Sequence, residues 1–107
     1  MLYEMEFLFD GGDVVFPTQW SHTGIVSSGD MEVLINRADD DELKHKVKVK
    51  VVTPLRGYDD VWQKVLNKFV SESGITGVII EINDNNATPF IVGMRLKQAL
   101  IEATSEE

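Results

Sequence analysis

Lysine and valine alternate from Lys46 to Val51, the sharpest period-two pattern in the chain. Successive side chains of a strand point to opposite faces, so this segment predicts a strand with valine buried and lysine in water. Tyr3, Met5, Phe7 and Phe9 alternate with Glu4, Glu6 and Leu8 and predict a second strand, with an aromatic core face. Asp10-Gly11-Gly12-Asp13 interrupts it. Val14-Val15 then reads as a stub of strand, and Phe16-Pro17-Thr18 as a loop. Two short apolar arms follow, one from Thr23 to Ser27 and one from Met31 to Asn36. Gly29-Asp30 between them is a two-residue hairpin signal, because glycine takes the positive φ such a turn demands. That turn sets Val26 opposite Val33 and Ile25 opposite Leu34. Val78-Ile79-Ile80-Glu81-Ile82, bounded by Gly77 and Asn83-Asp84, predicts a central strand.

Helical spacing appears twice. Val61, Trp62, Val65, Leu66, Phe69 and Val70 recur every three or four residues, which predicts an amphipathic helix over 60–72. Asp59 and Asp60 supply its N-cap and first turn, and Gly74 ends it. Trp62 and Phe69 lie on the apolar stripe and read as core. Thr88 caps a second helix with Pro89 at its first position, where the missing N–H costs nothing. Its stripe is Val92, Leu96, Ala99, Leu100 and Ala103. Two helices that each bury one stripe need a shared sheet face. The expected fold is α+β: a two-layer sandwich, with a mainly antiparallel sheet of about four to five strands and both helices on one face. The strand order does not follow from the pattern. The chain reads as one domain, residues 1–107.

Charge narrows the function classes. The net charge of −8 disfavours a nucleic-acid role, which depends on Lys and Arg neutralising phosphates. Asp39-Asp40-Asp41-Glu42 reads as a solvated acidic loop, followed by Lys44, Lys46, Lys48 and Lys50. The lysine strip reads first as a wet sheet face, and second as a strip that holds a docking partner or the phosphates of a bound arm. No apolar run approaches the ~20 residues of a membrane span, and no secretory signal is evident, so a cytoplasmic protein is expected. There are no cysteines. Any thioester chemistry would therefore need a thiol from an attached group.

Enzyme constellations are wanting. A nucleophilic Ser28 requires a base within about 2.6–3.2 Å. The two histidines, His22 and His45, both read as surface residues. No His/Cys/Asp/Glu cluster has metal-ligand spacing, so no catalytic residue and no metal site are expected. Gly11-Gly12 lacks the Lys-Ser/Thr ending of a phosphate loop. What remains is Ser28 itself, at the lip of the expected turn and beside a glycine with no side chain to obstruct an incoming protein. On composition alone it is a turn serine.

Ser28-Gly29-Asp30-Met31-Glu32-Val33-Leu34 resembles the prosthetic-group attachment motif of the acyl carrier subunit of malonate decarboxylase. Asp84-Asn85-Asn86-Ala87-Thr88-Pro89, with the run to Leu100, is similar to that family's later block. The resemblance covers roughly residues 22 to 103. It implies a non-catalytic carrier whose Ser28 holds 2′-(5″-phosphoribosyl)-3′-dephospho-CoA through a phosphodiester, with acetyl and malonyl thioesters on the cofactor thiol. It implies acetyl-CoA/malonate acyl-transferase and decarboxylase subunits as partners, and a separate prosthetic-group transferase that reads Gly29 and Asp30. Heterologous material is expected to lack the group for that reason. Ser27 stands where the family usually has Gly, which makes it a rival attachment residue. Asn85 and Asn86 stand where the family has an aromatic residue and a Gly. The alternatives are a citrate lyase-type carrier and a small regulatory or adaptor module with Ser28 unmodified.

Overall fold

The computed structural model describes residues 2–15, 26–28, 31–38, 41–85 and 89–104. Seven strands and two helices are built from them: β1 (Tyr3–Asp10), β2 (Val14–Val15), β3 (Val26–Ser28), β4 (Met31–Arg37), β5 (Lys46–Thr53), α1 (Asp59–Ser73), β6 (Ile75–Thr76), β7 (Val78–Asp84) and α2 (Pro89–Thr104). Five strands form one sheet in the order β1-β5-β7-β4-β3. Its β1–β5, β7–β4 and β4–β3 pairings are antiparallel, and β5–β7 is parallel. A parallel pair cannot be joined by a hairpin, and α1 is the crossover that joins this one. The expected two-layer α+β architecture is the one observed.

Period two decides which face is covered. Val47, Val49 and Val51 of β5, Val78, Ile80 and Ile82 of β7, and Met31, Val33 and Ile35 of β4 are all buried. Trp62, Leu66, Phe69 and Val70 of α1 and Val92 and Leu96 of α2 complete the core. α1 packs over β1, α2 packs over β4 and β3, and the helices touch each other. Tyr3, Met5, Phe7 and Phe9 are only half-buried. β1 is the other edge of the sheet, so its aromatic face is roofed from one side.

The opposite sheet face carries the lysines, half-buried rather than fully wet. Lys46 pairs with Asp10, and Lys48 reaches Glu6 at 3.9 Å. The antiparallel register of β1 against β5 puts those acids beside those lysines. Two of the four lysines are thus paired in place, which favours the plain sheet-face reading at Lys46 and Lys48.

Several details depart from the sequence expectation. α1 begins at Asp59, its N-cap is Tyr58, and no side chain caps it. Asp59 and Asp60 both fall in the first turn, where carboxylates still favour the positive end of the helix dipole. Val61, expected on the apolar stripe, is 40% exposed. Within the acidic run, Asp41 and Glu42 belong to a 3-10 turn, Asp41–Leu43, and Asp39 and Asp40 lie outside the described residues. The stub Val14–Val15 is real, and it pairs in parallel with β6, a strand the pattern did not reveal. Gly74 ends α1 as expected, at φ 69°, donating its N–H to Val70 O. The loop at 16–18, Thr88 and the residues after Thr104 lie outside the described residues.

Candidate attachment site

Ser28 ends β3, the edge strand of the five-stranded sheet. The register is Val26↔Val33, Ser27↔Glu32 and Ser28↔Met31. It leaves two residues between the arms, as the hairpin signal required. Gly29, Asp30, His22 and Thr23 to Ile25 lie outside the described residues. Met31, opposite Ser28, is buried, whereas Glu32, opposite Ser27, is exposed. The two rival serines therefore hold different register positions, one beside a buried residue and one beside an exposed one.

Ser28 belongs to a row that crosses the whole sheet. Met31 pairs with Ser28 on one side and with Asp84 on the other. Thr53 lies next to Asp84, donating its Oγ1–H to Asp84 Oδ2 at 2.6 Å, and pairs on its far side with Tyr3. Strands sit about 4.8 Å apart, so the Ser28 and Asp84 backbones are about 10 Å from each other. β5 and β7 both end at this row. The short connections that follow them start α1 at Asp59 and α2 at Pro89. One pole of the molecule thus collects the end of β3, the ends of the two parallel strands and the N-termini of both helices.

Sequence reasoning missed Asp84 and Thr53. Asp84 is 5% exposed and Thr53 is 0% exposed. The signal was present: Val78, Ile80, Ile82 and Asp84 share one strand face at period two. Taking Asn83-Asp84 as the strand's boundary cut it short.

Of the two histidines only His45 is among the described residues, and it lies far from this pole. His45 immediately precedes β5, and the serine row lies at the strand's other end, beside Thr53. Eight residues at about 3.3 Å each put roughly 26 Å between His45 and that row. Among the described residues no group of three or more His, Cys, Asp or Glu side chains is placed to hold a metal ion. A cleft of about 500 Å³ lined by Leu8 to Gly12, Asn67, Val70, Ser71 and Gly74 lies at the opposite pole. No helix of the described residues is long and apolar enough to cross a membrane.

Residues 18–103 match the family described as malonate decarboxylase delta subunit (MdcD), an acyl carrier protein. The chain belongs to this family. The malonate decarboxylase acyl carrier protein of Malonomonas rubra is 50% identical over 110 residues, spanning 100% of this chain and 94% of that protein. Its counterpart in Acinetobacter calcoaceticus is 39% identical over 77 residues, 72% of each chain. A solved chain from a Pseudomonas malonate decarboxylase hetero-tetramer in complex with malonate superposes with a TM-score of 0.75. That superposition covers 94% of this chain and 98% of the solved one, at 27% identity.

Proposed function

We propose that this chain is the acyl carrier subunit of a biotin-independent malonate decarboxylase and that Ser28 is its attachment residue. The observation that carries the reading is the place of the Ser-Gly-Asp motif: its serine ends an edge strand, at a two-residue hairpin, in a chain of this family. The group proposed for Ser28 is 2′-(5″-phosphoribosyl)-3′-dephospho-CoA, which supplies the thiol that the cysteine-free chain lacks.

Two features of the pole suit such a group. Among the described residues no strand flanks β3 on its outer side. The first turn of α2 carries no acidic residue, whereas α1 has Asp59 and Asp60 there. A phosphodiester is therefore better received on the α2 side, which is the side that covers β3. In attachment, Ser28 Oγ bonds to the phosphorus of a phosphoanhydride donor as the anhydride bond breaks. The electron pair leaves with the departing phosphate and the hydroxyl proton passes to solvent. The chain needs no base of its own, because the prosthetic-group transferase supplies the catalysis, with Gly29 and Asp30 as its proposed recognition residues.

The acyl-transferase and decarboxylase subunits are the proposed partners after loading. Tethering replaces a bimolecular encounter with an effective concentration of about millimolar order, which a rigid base with an open anchor is enough to provide. Intact-mass spectrometry after co-expression with the prosthetic-group transferase tests the reading. One adduct is expected on the wild type and on Ser27→Ala, and none on Ser28→Ala. An unmodified wild type, or an adduct that survives Ser28→Ala, overturns it. Exchange of the loaded acetyl group for malonyl separates this carrier from a citrate lyase-type one.

A further inference from the structure

A carboxylate in a core is costly unless its hydrogen bonds are made. Asp84 meets that condition with Thr53, whose hydroxyl donates to it at 2.6 Å. The same hydroxyl oxygen accepts the Leu55 N–H at 3.1 Å. Thr53 is the last residue of β5, and Leu55 lies in the connection to α1. Asp84 is the last residue of β7 and leads into the connection to α2. The pair therefore ties the start of the β5–α1 connection to the end of β7. Both emerge in the row that ends at Ser28. Hydrophobic residues fill the same strand face elsewhere: Val47, Val49 and Val51 before Thr53, and Val78, Ile80 and Ile82 before Asp84. The face becomes polar only in the row that contains the anchor.

We propose that Asp84, through its hydrogen bond with Thr53, is a positioning residue for the attachment step. It fixes Leu55, in the β5–α1 connection, to the end of β7, forming a rim about 10 Å from Ser28 that the prosthetic-group transferase reads. The proposal rests on the attachment reading of Ser28. Its chemistry is plain: docking onto a preformed surface costs less ordering than docking onto connections that must first be fixed. A shift of about 1 Å at a site away from the chemistry costs about 100-fold in rate. Arg56 reinforces the rim from the β1 side, where its guanidinium stands 5.6 Å from the centre of the Tyr3 ring.

The test uses the full chain with Thr53→Val, Thr53→Ser and Asp84→Leu. Attachment kcat/KM for the transferase is read by intact mass, at a temperature well below each variant's unfolding midpoint. Amide exchange is followed in parallel at Leu55, Val49 and Ile80. The expected result for Thr53→Val and Asp84→Leu is attachment slowed about 10- to 100-fold, with Val49 and Ile80 still protected. Leu55 exchanges faster in Thr53→Val, and Thr53→Ser restores both its protection and the rate. If Thr53→Val does not fold, the near-isosteric Asp84→Leu carries the test. Wild-type rates in the folded variants overturn the proposal, because a purely structural role lowers the midpoint and leaves attachment to the folded protein unchanged. A wild type that takes no adduct overturns the attachment reading instead, so the two failures are distinguishable.

Discussion

At the scale of the residue, Gly12 shows how little room the second, smaller sheet leaves. A Cβ on Gly12 would meet only backbone: Gly74 O at 2.6 Å, Gly74 Cα at 2.8 Å and Gly74 C at 2.9 Å. No side-chain rotation relieves that contact. Gly12→Ala is therefore expected to destabilise by about 1–3 kcal/mol, read as a lower urea midpoint at unchanged slope. The glycine pair was legible as a break in the sequence, but its reason was not. Only the fold brings Gly74 alongside, by pairing β2 with β6 across the end of α1. Ser28, the proposed anchor, was singled out by its motif and its place beside an expected two-residue turn. Asp84 was not, because a lone acid after an apolar run looks like the start of a turn until its strand partner is known.

Among the elements, α2 separates exposed from buried apolar residues. Leu96 is fully buried and Met94 is 62% exposed. Leu96→Ala is expected to cost about 2–5 kcal/mol, and Met94→Ala to stay within about 0.5 kcal/mol, both by urea unfolding. The strand pair β1–β5 carries a pH prediction. Lys46, by hydrogen bond and by charge, holds the Asp10 carboxyl below its ordinary value of 3.8. A depressed carboxyl stabilises the fold above its unfolded value, and that stabilisation disappears as pH falls through the folded value. The gap in thermal midpoint between the wild type and Asp10→Asn is expected at pH 7 and should close below about pH 3.8. Strands and helices with long periods were readable because burial imposes period two or 3.6 over many residues. β6 has two residues, too few for any period, and the N-terminal boundary of α1 depended on a tyrosine that makes no cap bond.

For the whole molecule, the fold separates support from chemistry. One face of the sheet and two helices make the core. The ends of β3, β5 and β7 and the starts of both helices make the working pole. The layer count followed from two amphipathic helices needing one sheet face. The strand order did not, since nothing in the local pattern tells β5 to pair in parallel with β7. The central claim is that a single serine at that pole bears the tether. Trypsin has no cleavage site before Arg37, so the expected adduct stays within one peptide, Met1 to Arg37. Tandem mass spectrometry of that peptide, from protein co-expressed with the transferase, is the most direct measurement. The account predicts a mass increase that begins between Ser27 and Ser28 in the fragment series that starts at Met1. An increase already present at Ser27, or an unmodified peptide, would contradict it.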